Sequence, residues 1–308
     1  MTVEQLINEL DQLIPKILSE PWDNDGLDVV PDKNAEVSGV LCALDCTSVA
    51  INRATALGCN VIITHHPLVF KPLGSVTCDD SVGKRVIECI KRGIAVISFH
   101  TRLDIIEGGV NDILAKTVGL KNIESFIPYG RIGDVEEVEF EAFANKVADV
   151  LGLNIKELGL VKSKNTVKKV ALVSGCGKDE ISDAINAGAD TFITGEVMHN
   201  HMLDCREMGI NLICATHYAT ERIVLPFLCE KVKDFVRVEA LEFTIPKQTK
   251  YTSIPLKDLS IKSDTLLACI IRNNSVIIPN GKDTIEPLDS VIIITTNTKI
   301  KDFSDILE

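Results

Sequence analysis

The feature that most constrains the fold of this 308-residue chain is a series of short apolar runs that alternate with amphipathic segments. The runs are SGVLCAL, NVIIT and IAVISF in the first part and KKVALVSG, DTFITG and INLICA further on. Runs this short are typical of parallel strands buried on both faces. Helix C-caps are expected at the glycines that end the amphipathic segments, Gly58, Gly93, Gly188 and Gly209. The pattern predicts an α/β fold with mainly parallel sheets.

A short internal repeat suggests two related halves. Residues 50–66 (AINRATALGCNVIITHH) and 184–196 (AINAGADTFITGE) share their A-I-N start, a glycine and the I-T exit from a predicted strand. The similarity reflects either a pattern common to all βαβ units or a true duplication. On the second interpretation, residues 1–125 form one α/β half, which a helix and strand at about 219–246 complete. Residues 126–218 form the other half, and 251–308 a small β-rich α+β module.

Composition and charge exclude several classes of function. A formal net charge of -12 argues against nucleic-acid binding, which needs a basic face. No uncharged apolar run reaches about 18 residues, so no membrane span is expected. The N-terminus is amphipathic and acidic, unlike a signal peptide, and the ten cysteines contain no C-x-x-C pair. We therefore expect a cytoplasmic protein with reduced thiols.

Potential ligands or acids follow five of the predicted strands. They are Asp45, the pair His65 and His66, the pair His100 and Asp104, Glu196, and the pair His217 and Glu221. In open α/β sheets, binding sites lie beyond the carboxyl ends of the strands. Adjacent strand residues point to opposite faces, so both rings of the His-His pair become usable only where the chain leaves the sheet at Pro67.

These residue types indicate a metal site. His217 and Glu221 are four residues apart at a predicted helix start and therefore share one face. Imidazole with carboxylate suits zinc, iron, manganese or nickel. The set exceeds the needs of one tetrahedral ion, so it predicts two divalent transition-metal ions per chain, about 3.5 to 4 Å apart, with positions left for water or substrate.

Three neighbouring features have simpler interpretations. Asp45 could instead cap the helix predicted to begin near Val49. His199 and His201 are expected on the surface or supporting the site. The segment SGCGKD (174–179) could hold an anion at a helix N-terminus, although it lacks the spacing of a phosphate-binding loop.

Five ordered segments carry a family resemblance: WDNDGLDV, ITHHPLVF, FHTRLD, TGEVMHNH and THYATER. Together they resemble the NIF-three-like dinuclear-metal-centre family, often labelled GTP cyclohydrolase I type 2 homologues, over residues 1–246. The resemblance implies a set of metal ligands, with His100 beside them as a further ligand or acid/base. These ligands are His65, His66, Asp104, His217 and Glu221.

The resemblance also implies an assembly and shows two departures. Family members form toroidal hexamers with metal sites facing an internal cavity, which implies a homohexamer here. Arg102 stands where the family has a small polar residue, and Thr216 where it has glycine before the histidine. We expect Arg102 to place a cation at the mouth of the site and so to favour an anionic, phosphate-bearing substrate.

The C-terminal stretch from Tyr251 has a different character. It predicts short strands joined by turns at Asn273-Asn274 and at Pro279-Asn280-Gly281. The patterns I-I-R-x-x-x-V-I-I-P and E-P-x-D-x-V-I resemble the C-terminal regulatory domain of TrkA-type potassium-uptake proteins. That resemblance implies binding of a small ligand. The alternative is an appendage that only mediates assembly.

Two functional hypotheses remain open on the sequence. The first is a hydrolase in which metal-activated water attacks the imidazole carbon of a purine nucleotide, with His100 or Glu196 moving protons. A hydrolase of other phosphate esters or of cyclic amides fits the same residues. The second is a non-enzymatic metal-binding hexameric scaffold or metal-handling protein with a ligand-sensing tail.

Overall fold

The structure is a computed structural model that describes residues 1–233, 235, 239–245, 248–262, 265–272, 275–277, 279–295 and 302–307. In these residues no helix is long and apolar enough to cross a membrane. The helices are α1 (Val3–Leu13), α2 (Ser48–Ala56), α3 (Ser81–Arg92), α4 (Thr101–Ile105), α5 (Val110–Val118), α6 (Phe140–Leu151), α7 (Ile181–Asn186), α8 (His199–Met208), α9 (His217–Glu221) and α10 (Leu225–Lys233).

The strands form three sheets, with the orders β1-β4-β3-β2, β5-β6-β8-β9-β10-β7 and β11-β14-β12-β13. Their bounds are β1 (Gly26–Val29), β2 (Val40–Ala43), β3 (Val61–Thr64), β4 (Ala95–Ser98), β5 (Lys121–Ser125), β6 (Arg131–Glu139), β7 (Gly159–Val161), β8 (Thr166–Val173), β9 (Thr191–Thr194), β10 (Asn211–Cys214), β11 (Glu239–Thr244), β12 (Thr265–Arg272), β13 (Ser275–Ile277) and β14 (Ser290–Thr295).

The first two sheets confirm the predicted α/β class. Each has a core of three parallel strands, β2-β3-β4 in the first sheet and β8-β9-β10 in the second. Antiparallel strands flank both cores: β1 in the first sheet, and β5, β6 and β7 in the second. The two repeated sequence segments, 50–66 and 184–196, each contain a helix and the central strand of one parallel core.

Helices cover both faces of the first sheet because its strands are apolar on both sides. Within β3, Ile63 packs towards α1 and α10, whereas its neighbour Ile62 packs towards α2 and α3. The helices have local signals of their own. The Asp80 side chain accepts a hydrogen bond from the Gly83 N–H (2.7 Å) at the start of α3, and Gly93 ends that helix in the left-handed conformation.

The second sheet is packed in the same way, and one helix joins the two halves. Phe143 of α6 lies in the core on one face of this sheet, and Phe192 of β9 lies in the core on the other face. Helix α5 contributes Val110 to the core of the first half and Leu114 to the core of the second. The two α/β halves are therefore fixed to each other through α5.

The C-terminal part forms the third, wholly antiparallel sheet, with its own apolar core around Ile270, Ile285 and Phe303. The predicted turn near Pro279 is present, where the Asp283 N–H donates to Asn280 O (3.0 Å). The other predicted turn, Asn273-Asn274, lies outside the described residues.

The segment 219–246 does not act as one unit. Its helix, α10, packs against the first sheet through Leu228 and Val232, as expected. Its strand, β11, was expected to complete the same half but pairs instead with β14 of the third sheet, Glu242 opposite Ile292. The apolar strand β14 thus has a hydrogen-bonded neighbour on each side, β11 and β12, and presents no open edge.

Candidate metal centre

Because the parallel strands of each sheet end in register, the predicted site residues lie together at the carboxyl ends of the strands. Thr64 lies opposite Ser98 where β3 and β4 end, so His65, His66 and His100 leave the first sheet together. In the second sheet β8, β9 and β10 also end in register, just before the segments that contain Glu196 and α9. The carboxyl ends of the two sheets face each other, and His65 Nε2 is 3.7 Å from Glu221 Oε1.

Six of the predicted residues form one cluster: His65, His66, His100, Asp104, His217 and Glu221. Glu221 is its centre, with Oε2 3.0 Å from His66 Nε2 and Oε1 3.1 Å from His217 Nε2. His65 Nε2 lies 3.8 Å from Asp104 Oδ1. Two sets of donors are close enough to hold a metal ion, His65-His66-His100 and His66-His217-Glu221, each with ligand atoms within 4.8 Å of one another.

The four histidines of the cluster share one orientation. In each ring Nδ1 faces an oxygen acceptor outside the cluster centre. A backbone carbonyl can only accept, so the His65 Nδ1–H donates to it and Nε2 keeps its lone pair. A ring fixed through one nitrogen is typical of metal-ligating histidine. The Nδ1 contacts are His65 to Phe99 O (3.0 Å), His66 to Asp45 Oδ1 (3.0 Å), His100 to Asp23 Oδ1 (2.9 Å) and His217 to Glu196 Oε1 (3.1 Å).

The cluster also contains buried atoms that lack well-aligned partners. Within the part of the chain that the structure describes, His65 Nε2 and Glu221 Oε2 are buried and make no well-aligned hydrogen bond, although Glu221 Oε2 lies 3.0 Å from His66 Nε2. An unpaired buried polar group costs about 1 to 3 kcal/mol. A cation would satisfy both atoms, so the residues present fit a bound metal ion.

The electrostatics of the metal-free cluster are strongly coupled. Burial lowers the pKa of His66, but its contacts with Asp45 and Glu221 outweigh burial and raise the pKa to about 10. Burial raises the pKa of Glu221, and the three neighbouring imidazoles outweigh it and bring that pKa far below its usual range. Burial raises the pKa of Asp104 to about 6. Positive imidazoles therefore balance the carboxylates when no metal is bound.

Glu196 and Asp45 lie outside the cluster and support it. Glu196 is 58% exposed and contacts His217 Nδ1. Asp45 does not cap α2, so that interpretation is wrong. Thr47 is the cap, with its Oγ1 accepting from the Ala50 N–H (3.1 Å). Asp45 instead accepts a charge-assisted hydrogen bond from His66, which is stronger than a neutral capping bond.

The histidines of α8 and the segment 174–179 also have defined places. His199 is exposed and His201 half-buried, and neither belongs to a donor set. Gly175 has a positive φ of 60° and passes against the cluster. A Cβ there would lie 2.3 Å from Glu221 Oε1, so only glycine fits. Close approach to Glu221 explains this glycine without a bound anion.

Arg102 is not at the mouth of the site, contrary to the expectation from its sequence. Its side chain is 1% exposed, and its Nε donates to Asp25 Oδ2 (2.7 Å) and its Nη1 to Asp11 Oδ1 (2.5 Å). It lines a separate cavity beside α1. The physical reason is helix geometry, because Arg102 and the site residue Asp104 are two positions apart and point to opposite sides of α4.

The sequence argument missed Asp23. Its buried carboxylate accepts from His100 Nδ1, from the Thr101 N–H (3.0 Å) and from the Thr101 hydroxyl (2.6 Å). Asp23 and His100 are 77 residues apart and meet because β1, which follows Asp23, pairs with β4. The acidic letters of WDNDGLDV were visible, but nothing local in the sequence indicated their partner.

The fold and the cluster define a class: an α/β protein with a candidate histidine–carboxylate metal centre between the carboxyl ends of its first two sheets. The chain belongs to the Duf34/NIF3 (NGG1p interacting factor 3) family, whose model matches residues 1–250. This confirms the resemblance inferred from the five ordered segments. Residues 251–308, with most of the third sheet, lie beyond the matched region.

Relatives and solved structures agree with this assignment. The chain is 34% identical over 260 residues to a Clostridium perfringens protein named GTP cyclohydrolase 1 type 2 homolog, covering 81% of this chain and 98% of the relative. A Staphylococcus aureus crystal structure is 30% identical, with a TM-score of 0.68 over 76% of this chain and 90% of that one. A Bacillus cereus protein related to NIF3, 24% identical, shares the fold with a TM-score of 0.71, covering 76% and 92% of the two chains.

Proposed function

We propose that this protein is a hydrolase that depends on two divalent transition-metal ions and acts in the cytoplasm on a nucleotide or a related phosphate-bearing substrate. The name GTP cyclohydrolase 1 type 2 homolog, which relatives carry, suggests opening of a purine imidazole ring by water. Zinc, iron, manganese and nickel all suit the donor set.

The observation that carries this proposal is the shared orientation of the four histidines. Each Nδ1 is engaged by an oxygen outside the cluster, which leaves every Nε2 available to a ligand. A surface or core histidine needs no such consistent arrangement. Four rings fixed in this way, three of them around the carboxylate of Glu221, are what a preorganised metal site requires.

The donor sets support two ions rather than one. Glu221 directs one oxygen towards His66 and the other towards His217. Six side chains exceed the four ligands of one tetrahedral ion. A carboxylate with its oxygens directed to two sides is suited to bridge a pair of ions.

The side chains of this chain have distinct roles in the proposed reaction. Two bound ions would supply Lewis acidity, which makes water nucleophilic at neutral pH. His100 lines the cavity beside the cluster, and Asp23 engages its Nδ1, so its one remaining nitrogen either binds an ion or, when unbound, moves a proton at the reacting centre. Glu196 contacts His217 and does not line that cavity, so we assign it the orientation of His217.

Two further parts of the proposal rest on resemblance. One is a homohexamer with its metal sites facing an internal cavity, and the other is a small ligand at the C-terminal module. Analytical ultracentrifugation of the full chain tests the first: a six-chain mass supports it, and a monomer or dimer overturns it. Thermal shift against a small-molecule panel, with the 1–250 fragment in parallel, tests the second.

Elemental analysis of untagged protein tests the metal centre. We expect about two transition-metal ions per chain in the wild type and loss of metal in the double variant His65→Ala/His66→Ala. The matched control is His199→Ala/His201→Ala, which also removes two of the six histidines but none from a donor set. No metal in the wild type, even after reconstitution, would overturn the proposal.

Turnover separates a hydrolase from a metal-handling protein. Metal-loaded protein is incubated with GTP and with other nucleotides, and loss of the purine absorbance is followed. We expect His66→Ala to abolish turnover while circular dichroism stays that of the folded wild type. Metal binding without turnover on any nucleotide would favour the non-enzymatic alternative.

A further inference from the structure

We propose that the cavity beside the metal centre binds a flat, uncharged heteroaromatic ring that carries N–H donors on its edge. Its contact surface is the aromatic wall, which consists of Trp22, Phe70 and His100. The inference deepens the proposed function by assigning the part of the substrate that this chain itself recognises. It rests on that function only in calling the ligand a substrate, since the binding is measurable without metal.

The aromatic wall is open to the cavity. Trp22 is 62% and Phe70 45% exposed, although both are large apolar rings. Their ring centroids are 6.1 Å apart, and each lies near His100, at 6.2 Å and 5.8 Å, all in edge-to-face arrangement. The cavity has a volume of about 680 Å³, within the range of small-molecule sites. Exposed rings at such a cavity are a stacking surface for a flat ligand.

Hydrogen bonds between two loops hold the wall in place. Asn24, two residues after Trp22, donates from Nδ2 to Val69 O (2.5 Å), next to Phe70. Asp28 accepts from the Leu68 N–H (2.9 Å) in the same loop. The wall is therefore preorganised, which reduces the entropy cost of ligand binding.

Imidazoles, among them His66 and His217, are the groups of the cavity lining that can carry positive charge, so a phosphate would be held there by them or by bound ions and not by a dedicated cation. The lining includes five carboxylates, and among the lining residues, which all fall within the described range 1–233, none is Lys or Arg. The nearby Lys178 pairs with Asp179. Arg102 is buried elsewhere. The lining carboxylates are Glu20, Asp104, Asp179, Glu180 and Glu221.

Glu180 supplies the polar contact. It lines the cavity, and its Oε1 accepts from the Tyr129 hydroxyl (2.8 Å). Its Oε2 is buried and has no hydrogen-bond partner in the described part of the chain. A carboxylate oxygen accepts only, so the complementary group is an N–H donor, as on the edge of an amino-substituted heterocycle.

Trp22 is the chain's single tryptophan, so its fluorescence reports directly on the wall. The full-length protein, freed of metal with a chelator, is titrated with guanosine, with GTP and with ribose. We expect guanosine to quench the emission saturably and ribose to leave it unchanged. GTP carries the same ring, so we expect it to quench the emission saturably as well.

Variants locate the binding. Phe70→Ala should weaken the affinity for guanosine by about tenfold, because the stacking contact is lost. Glu180→Gln should weaken it by about tenfold through loss of a charge-assisted hydrogen bond. Ile17→Ala, which truncates an exposed apolar residue outside the cavity, is the control and should bind as the wild type does.

The outcomes distinguish this inference from the proposed function. Emission that guanosine does not quench, or unchanged affinity for guanosine in Phe70→Ala, would each overturn it. So would Trp22 shielded from acrylamide without ligand, because another copy of the chain would then cover the wall. Guanosine binding in a protein that takes up no metal would support the binding role of the aromatic wall and refute the hydrolase proposal.

Discussion

At the scale of single residues, each histidine of the cluster is oriented through its Nδ1 by an oxygen outside the cluster. His65, His66, His217 and Glu221 could be chosen from the sequence because each follows a recognisable strand. Their orienting oxygens could not, since they come from backbone or from distant segments, as Asp23 does. The error over Arg102 has the same origin: the motif gives the residue, whereas helix geometry gives its direction.

Replacing Asp23 by Asn tests the orientation of His100. Burial works to raise the pKa of Asp23, but the contacts with His100 and Thr101 lower it to about 2, so the group is anionic at neutral pH. Asparagine keeps the shape and loses the charge. Removing such an outer-shell partner should weaken the affinity for one metal ion by about 10- to 100-fold.

Competition against a chromogenic chelator measures this affinity. Asp32→Asn, which neutralises an exposed carboxylate, is the control and should bind metal as the wild type does. The thermal midpoint of each metal-free variant is recorded to show that it is folded. Wild-type affinity for both ions in Asp23→Asn would show that the contact does not position His100.

At the scale of elements, the strand ends and several caps followed from the sequence, whereas the partner of β11 did not. Short apolar runs and glycine caps are local signals, and α3 with Gly93 shows how well they work. The pairing of β11 with β14 joins residues about fifty apart and depends on which sheet has an open edge. A local pattern contains no information on that choice.

Thr216 gives an element-scale prediction at the start of α9, the helix that holds His217 and Glu221. Its φ is 61°, a conformation that favours glycine, and its hydroxyl accepts from the Ala219 N–H (3.3 Å). Thr216→Gly relieves the strain and loses little capping, so it should stabilise the fold by up to about 1 kcal/mol. Thr216→Ala keeps the strain and loses the cap, so it should destabilise by about 1 kcal/mol.

Chemical denaturation of the two variants measures these effects. Opposite signs of the change in unfolding free energy would show that backbone strain and capping act separately at this position. Equal destabilisation in both variants would refute the strain argument, because glycine would then have gained nothing from its freedom.

The third sheet has an ion pair that links the two motifs noted in its sequence. Arg272 donates from Nε and Nη2 to the two oxygens of Asp289 (2.8 and 2.7 Å). Asp289 also accepts from the Glu286 N–H (2.7 Å). Asp289→Asn should destabilise this sheet by about 2 kcal/mol, as expected for charge-assisted hydrogen bonds.

Hydrogen exchange of the β12 and β14 amides measures that loss, and metal content should stay unchanged. Burial works to raise the pKa of Asp289, but Arg272 outweighs it and lowers the pKa. The stabilisation is therefore present above the unfolded pKa of about 3.9 and lost as pH falls through the folded value. Equal protection in wild type and variant at neutral pH would contradict the prediction.

At the scale of the whole molecule, the candidate site joins the two halves. His65 and His66 follow a strand of the first sheet, whereas His217 and Glu221 follow a strand of the second. A bound ion would link these elements, in addition to the packing of α5. Metal bound at about 100 times its Kd would contribute about 2.7 kcal/mol to folding.

Metal removal should therefore lower the thermal midpoint by about 4 °C at neutral pH. The decrease in midpoint should be larger at pH 8 than at pH 6, because rising pH destabilises the metal-free protein and stabilises the metal-loaded protein. The pKa of His66 is raised to about 10 without metal, so its ion pairs stabilise the metal-free protein below the unfolded pKa near 6.5 and are lost as pH rises through 10. Metal binding requires the deprotonated ring, so the metal-loaded protein gains stability as pH rises.

Thermal scans with and without chelator at both pH values measure the difference, and His199→Ala/His201→Ala serves as the control. Identical midpoints with and without chelator at both pH values would show that no ion links the two halves.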